Sequence, residues 1–111
     1  MPSQSRKHRG YASQRIVAER FRVAGWPYAE PTGAGRQGTD VLGVVGLDIE
    51  VKARRGLDLP GWMRQAAERA GDRTPLLIVR PDGFGEASID AWPAIMPLGV
   101  MLETLKDAGY Q

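Results

Sequence analysis

An alternating stretch from Leu47 to Arg54 constrains the fold of this chain more than any other feature. Every second residue, from Leu47 to Ala53, is apolar and would face one side of a β-strand, while the charged residues between them would face the other. The charged side carries, in order, Asp48, Glu50, Lys52 and Arg54. This pattern predicts a strand that packs one face on a core and holds acidic and basic groups side by side on the other.

The residues before this strand predict the other arm of a β-hairpin. Val44, Val45 and Gly46 fall where the turn is expected, since Gly46 can adopt a positive φ. With the turn centred on Val45, Asp40 lies directly opposite Glu50, with their Cβ atoms about 4.5–5.5 Å apart. Two carboxylates at about 5 Å repel each other by about 3 kcal/mol at an effective dielectric constant of about 20. The hairpin therefore predicts a site that a bound cation would stabilise.

Two interpretations of this carboxylate pair stay open on spacing alone. A hard divalent ion such as Mg²⁺ accepts two carboxylates and usually keeps several waters, and Lys52 beside it would hold a phosphate oxygen or an attacking water. The alternative is a half-exposed amphipathic strand whose charges pair across the hairpin.

Composition limits the classes of protein. A chain of 111 residues without cysteine is expected to form a single domain, and it has no disulfide framework and no cysteine-ligated metal site. Its apolar runs are far shorter than a membrane span, and its N-terminus lacks an apolar signal core. We therefore expect no membrane partner and a cytoplasmic location, which would be the host cytoplasm if a phage encodes the chain.

Basic residues are concentrated at the start of the chain. Residues 1–22 hold six basic side chains and one acidic one, whereas the remainder holds nine basic and twelve acidic. This asymmetry favours a polyanionic partner such as DNA, the alternative being a solvated tail. The residues predicted to contact phosphates are Arg6, Lys7, Arg9, Arg15, Arg36, Arg54 and Arg55.

Hydrophobic periodicity and Gly/Pro punctuation predict the remaining elements. The helices are expected over residues 11–24, 58–70 and 97–108, and strands over 26–31, 39–42, 47–54, 75–80 and 87–95, after a disordered tail over 1–8. Gln14 falls within the apolar face of the first helix and needs a polar partner there, either the backbone or the Asp40/Glu50 site. The order α-β-β-β-α-β, followed by a short strand and a helix, predicts an α/β fold with a small mixed sheet flanked by helices.

This element order resembles the PD-(D/E)XK nuclease superfamily, with Asp40 and Glu50-Val51-Lys52 on the hairpin and an amphipathic first helix before them. Within the superfamily the chain is most similar to small stand-alone Holliday junction resolvases of the archaeal and phage type. The likeness covers roughly residues 9–55, and residues 58–80 by element order only. It implies a restriction-endonuclease-like core and a single nuclease-like domain over 9–111.

The resemblance also implies roles for individual residues. Asp40 and Glu50 match the metal-binding carboxylates, Val51 the residue that offers its carbonyl to the metal, and Lys52 the catalytic lysine. Gln14 stands where many members have a helix-one glutamate, and would position a metal-bound water. Two further positions bear on the match: Thr39 replaces the motif's proline, and Gln65 resembles a helical glutamine found beside the site in some branches.

The expected activity is Mg²⁺-dependent hydrolysis of DNA phosphodiester bonds, with Mn²⁺ as a substitute metal. The resemblance favours branched DNA such as a four-way junction as the substrate and a homodimer as the active form, since paired symmetric cuts call for two-fold symmetry. The alternatives are a related nuclease acting on flaps, ends or nicks, and a catalytically silent DNA-binding protein with the same fold.

Overall fold

The described residues form an α/β fold. The computed structural model describes residues 2–33, 38–53, 56 and 58–111, with side chains described from Gly10 onward. Its elements are α1 (Pro2–Ala24), β1 (Glu30–Pro31), β2 (Val41–Leu42), β3 (Leu47–Lys52), α2 (Leu59–Ala70), β4 (Thr74–Val79), a 3₁₀ helix (Glu86–Ala91), β5 (Ala94–Ile95) and α3 (Leu98–Asp107). The predicted order α-β-β-β-α-β, then a strand and a helix, is confirmed.

The strands form a mixed three-stranded sheet in the order β3-β4-β5, and a separate antiparallel pair, β1-β2. Strands β3 and β4 run parallel, from Leu47 opposite Thr74 to Lys52 opposite Val79, while β5 is antiparallel to β4. A parallel pair needs a crossover connection, which α2 supplies. The continuous apolar run of β4 is buried at its centre, as predicted for a strand covered on both faces.

Helices α1 and α2 cover opposite faces of this sheet. On the α1 side, Ile49 and Val51 of β3 join Leu76 and Ile78 of β4 in one core cluster, together with Val17 of α1. On the α2 side the buried residues are Leu77 of β4 and Trp62, Ala66 and Ala70 of α2. The alternation in the sequence therefore assigns the faces of β3 correctly, but both faces are covered.

The predicted β2–β3 hairpin ladder is wrong. Strand β2 pairs with β1, and β3 pairs with β4 along six residue pairs. The turn itself is as expected: Leu47 N–H donates to the Val44 carbonyl at 3.3 Å, and Gly46 has a φ of 87°. A parallel strand supplied by the α2 crossover satisfies β3 more fully than the short arm before the turn.

Helix α1 begins at Pro2 and not at Tyr11, so residues 2–8 are helical where a disordered tail was predicted. Proline is favourable at the first helical position because its φ is preset and it lacks only an N–H that has no partner there. Gly10 lies inside the helix, where a single glycine costs only about 1 kcal/mol. The helix therefore passes through Gly10.

Several predicted strands are shorter than expected, and the one predicted over 39–42 is reduced to Val41–Leu42. The strand predicted over 26–31 is reduced to Glu30–Pro31, because hydrogen bonds from Trp26 to Phe21 and from Ala29 to Trp26 fold the preceding residues into turns. Most of the strand predicted over 87–95 is the 3₁₀ helix, with only Ala94–Ile95 extended.

The last two helices lie where the sequence predicted them. Asp58 caps α2 by accepting a hydrogen bond from Gly61 N–H at 3.2 Å. Helix α3 buries no residue and exposes Leu98, Leu102 and Leu105. Within the described part of the chain, no helix has both the length and the apolar character needed to cross a membrane.

Candidate metal centre

A cleft of about 220 Å³ lies at the carboxyl end of β3, between that strand and α1. It brings together all five residues that the sequence pattern and the resemblance assigned to the metal and its chemistry. The lining residues are Gly10, Gln14, Asp40, Glu50, Val51, Lys52 and Ala53.

Asp40 is fixed against the free edge of β3 by backbone groups. Its N–H donates to the Ile49 carbonyl at 2.7 Å, and its carboxylate oxygen Oδ2 accepts from Val51 N–H at 2.8 Å. These bonds fall on either side of Glu50, so the expected proximity of the two acids holds without the predicted ladder. Thr39 strengthens the junction because its Oγ1 accepts from Ile49 N–H at 2.9 Å.

The surroundings of Asp40 favour its neutral form. Burial raises the pKa of the Asp40 carboxyl above its ordinary value, and the hydrogen bond from Val51 opposes this shift only in part. The negative charge of Glu50 raises that pKa further, while Arg69 and Lys52 lower it. The two acids therefore sense each other electrostatically, as a shared cation site requires.

Glu50 is buried, and its two oxygens differ. Oε1 lies 2.9 Å from Lys52 Nζ, whereas Oε2 is 4.0 Å from the nearest Arg69 nitrogen. Oε2 is buried and has no hydrogen-bond partner among the described residues. An unsatisfied buried polar atom costs about 1–3 kcal/mol, and more when it carries charge. This geometry also makes the half-exposed strand interpretation wrong for Glu50.

Lys52 lies at the mouth of the cleft. Its ammonium group pairs with Glu50 on one side and lies 5.6 Å from the centre of the Trp62 ring. Trp62 is itself buried in the core. The Lys52 side chain is 23% exposed, so its charge can reach a ligand in the cleft.

An arginine cluster beside this site was not predicted from the sequence. Asp48 is completely buried, and both of its oxygens accept from Arg69 Nε at 3.1 Å. Arg69 Nη2 also donates to Oδ1 at 2.5 Å, and Arg73 Nη2 donates to Oδ2 at 3.1 Å. These bonds raise the pKa of the Arg69 guanidinium. The signal that could have revealed the cluster was the four-residue spacing of the two arginines at the end of a helix that crosses back over β3.

Gln14 satisfies both of the interpretations considered for it. It lines the cleft, and its Oε1 accepts a hydrogen bond from Gly33 N–H at 3.4 Å. Gln65, by contrast, is exposed on α2 and does not line the cleft, so its predicted place beside the metal site is wrong. The side chain on α2 that approaches Glu50 is Arg69, four residues further along the helix.

Only one of the predicted phosphate contacts can be placed. Arg15 is exposed on α1, where it is available to a polyanion. The side chains of Arg6, Lys7 and Arg9, and the residues Arg36, Arg54 and Arg55, lie outside the described part of the structure.

The ligand set of the cleft is small. In the regions that the structure describes, no group of three or more His, Cys, Asp or Glu residues converges as metal ligands. Two acidic residues, Asp40 and Glu50, line the cleft together with Val51. Mg²⁺ is commonly bound by one or two carboxylates and completes its octahedron with waters and substrate oxygens, so this oxygen-only set fits it. Glu50 Oε2, which has no hydrogen-bond donor in the part of the chain that the structure describes, supplies the independent observation, since a bound cation would satisfy it.

Comparison with protein-family models, with curated proteins and with solved structures finds no match to this chain. The interpretation of the site therefore depends on its own geometry and on the residue pattern.

Proposed function

We propose that this protein is a metal-dependent DNA endonuclease of the PD-(D/E)XK type, with a restriction-endonuclease-like core. The sheet between α1 and α2, with its acidic cleft at the carboxyl end of β3, supports this proposal. The observation that carries it is the buried Oε2 of Glu50, which accepts no hydrogen bond from any described residue and lies beside a second carboxylate. A fold that retains such an unfavourable atom is best explained by a cation that binds there.

Asp40, Glu50 and the Val51 carbonyl would hold the Mg²⁺ or Mn²⁺ ion. Bound there, the metal would lower the pKa of a water molecule and polarise the scissile phosphate. Asp40 is preorganised for this role, because hydrogen bonds with Ile49 and Val51 fix its backbone and one of its oxygens. Glu50 contributes the oxygen that no described donor satisfies.

Lys52 would act on the substrate. Its ammonium group is held beside Glu50 and remains partly exposed, so it can orient the attacking water and offset charge that develops on the phosphoryl oxygens. Gln14 would position a water in the cleft through its amide, whose oxygen is already directed by Gly33.

The substrate class proposed is DNA, branched DNA such as a four-way junction in particular. Arg15 and the other basic residues of α1 would contact the phosphate backbone, which positions the nucleic acid without reading its sequence. Paired cuts in a four-way junction would require a homodimer, and a measurement of mass in solution separates that case from a monomeric nicking enzyme.

The test is an assay of four labelled substrates, namely junction, flap, duplex and single-stranded DNA, each incubated with the protein and Mg²⁺. We expect cleavage that chelator abolishes and that Glu50→Ala lacks. Cleavage of flaps or nicked duplex without junction resolution would support the related flap or nick nuclease. Binding without any cleavage by the wild type would support a silent DNA-binding protein and contradict the proposed activity.

A further inference from the structure

A second pocket lies beside the carboxylate cleft. It has a volume of about 360 Å³ and shares Ala53 with the cleft. The residues that line it are Ala53 and the segment Arg80, Pro81, Asp82, Gly83, Phe84 and Gly85, which follows β4. Strands β3 and β4 are parallel, so both pockets open at the same edge of the sheet, beyond the carboxyl ends of the strands, where open α/β sheets bind ligands.

The wall of this second pocket is held in place by several bonds. Arg80 N–H donates to the Lys52 carbonyl at 2.8 Å, which links the pocket directly to the strand that carries the metal site. The Arg80 guanidinium donates to the Phe84 carbonyl at 2.8 Å and to Ser13 Oγ at 3.2 Å, and lies 5.3 Å from the centre of the Trp92 ring. Phe84 N–H closes the turn by donating to the Pro81 carbonyl at 3.1 Å. The pocket is therefore preformed.

Phe84 lines the edge of the pocket and is 39% exposed. Among the described residues, its side chain is neither part of the core cluster nor packed against it. An exposed aromatic ring beside a fixed guanidinium matches the way in which proteins bind bases of single-stranded nucleic acids, by stacking and cation–π contact.

We propose that this second pocket binds an unpaired nucleobase whose own phosphate lies at the Asp40/Glu50 cleft. The proposal rests on the proposed nuclease function and specifies its substrate class. Because a base and its phosphate belong to one nucleotide, adjacent pockets can receive both. A base inside a duplex is stacked on its neighbours and must leave the stack to enter such a pocket, so DNA that already has an unpaired nucleotide binds at a lower cost. Selectivity for branched, flapped or bulged DNA then follows without sequence readout.

The test uses a DNA duplex with one unpaired 2-aminopurine nucleotide, beside the same duplex fully paired, both with Ca²⁺ in place of Mg²⁺, so that a cation with the same preference for oxygen ligands fills the cleft while cleavage is suppressed. We expect the wild type to bind the bulged DNA more tightly and to quench its 2-aminopurine fluorescence by stacking. Phe84→Ala should lose about tenfold in affinity for the bulged DNA, since stacking on an aromatic side chain has about that effect per base. Its affinity for the paired duplex should not change. Phe84→Tyr keeps a ring and should retain both affinity and quenching, and Tyr110→Ala, a change at another exposed aromatic residue, should behave as the wild type.

Each other outcome overturns the proposal. If Phe84→Ala binds and quenches as the wild type does, or weakens both DNAs equally, the pocket is not a base site, while DNA binding and the proposed nuclease function remain. If the wild type binds neither DNA, the proposed function fails and this inference fails with it.

Discussion

Asp48 and Glu50 lie two residues apart on the same face of β3, yet their surroundings differ. Asp48 is fully buried and accepts hydrogen bonds from both Arg69 and Arg73, so each of its oxygens has a partner. Glu50 is also buried, but only Oε1 is closely paired, with Lys52, while Oε2 has the Arg69 guanidinium at 4.0 Å and no hydrogen-bond donor among the described residues. The carboxylate of Asp48 is thus fully hydrogen-bonded by cationic side chains, whereas that of Glu50 keeps one oxygen without a hydrogen-bond donor among the described residues.

The position of α2 explains this difference. The end of the helix delivers Arg69 and the turn after it delivers Arg73, and both reach the start of β3, where Asp48 lies. Glu50 is one step closer to the carboxyl end of the strand, beyond direct hydrogen-bond reach of Arg69 and at the wall of the cleft. Strand β3 therefore carries a structural carboxylate and a candidate ligand on one face, and what separates them is the supply of donors.

The largest expected effect concerns Lys52, the residue that pairs with Glu50. Lys52→Ala should reduce cleavage by about 10²–10³-fold, the usual cost of removing one group that stabilises developing charge. Metal binding should persist, because Lys52 is proposed to act on water and phosphate. Calorimetry with Mn²⁺, beside a cleavage assay, measures both properties, and Lys106→Ala in α3 is the matched control. Loss of metal affinity together with activity would show that Lys52 has been given the wrong role.

A change at Asp48 should lower the free energy of unfolding. Asp48→Asn leaves two guanidiniums without their carboxylate, and breaking a buried ion pair costs about 3–5 kcal/mol. We expect about 3 kcal/mol, the lower end of that range, because the Arg69 and Arg73 side chains are 30% and 41% exposed and can recover some hydration.

Urea denaturation measures this loss against a surface pair. Arg20 Nε and Asp90 Oδ1 lie 2.6 Å apart, and the two side chains are 43% and 74% exposed. Because exposed ion pairs contribute little, Asp90→Asn should lower the free energy of unfolding by no more than about 1 kcal/mol. Equal losses for Asp48→Asn and Asp90→Asn would contradict the assignment of Asp48 to a structural role.

A smaller effect is expected from the pH dependence of Asp40. Burial raises its pKa in the folded state, so the folded protein holds this proton more tightly than the unfolded chain does. The resulting stabilisation is fully present below the ordinary carboxyl pKa of about 3.9 and is lost as the pH rises through the raised value.

Asp40→Asn removes this titration and isolates it. In chelator, the free energy of unfolding of the wild type minus that of Asp40→Asn should fall as the pH rises from acid to neutral. Denaturation curves of both proteins at a series of pH values provide the comparison. A difference that rises with pH would show that the folded site favours the ionised carboxylate, and burial would then not be the dominant influence on Asp40.

Local patterns predicted much of the fold. The period-2 alternation identified β3 and its two faces, the apolar run identified β4, and Asp58 with Gly71 delimited α2. Which strands pair was harder to predict from the sequence, because β3 is joined to its partner β4 by a long crossover. The turn before β3 suggested β2 as a hairpin partner, but β2 pairs with β1. The strand predicted over 87–95 is wrong for a local reason. Ser88 N–H and Trp92 Nε1 both donate to the Gly85 carbonyl, which favours a 3₁₀ helix over an extended chain.

The candidate site was also predicted only in part from the sequence. Asp40, Glu50, Val51, Lys52 and Gln14 were all assigned from the sequence, and all line one cleft. Arg69 was not assigned, because which side chain of α2 approaches Glu50 depends on the rotation and offset of the helix over β3. Gln65 illustrates the same limit, since a position four residues away on α2 points to solvent.

The most direct test of a cation at Glu50 compares melting temperatures with and without Mg²⁺ for wild type, Glu50→Gln and Asp48→Asn. A cation that binds only the folded state stabilises it by RT ln(1 + [L]/Kd), about 2.7 kcal/mol at 100 times Kd. We predict that wild type and Asp48→Asn both gain from Mg²⁺, although Asp48→Asn starts lower, because its ligand carboxylates are intact. Glu50→Gln also loses the ion pair with Lys52, so its stability in chelator does not decide the question, but it should be nearly indifferent to metal. If Glu50→Gln gains as much from Mg²⁺ as wild type does, Glu50 is not a metal ligand and the proposed centre is contradicted.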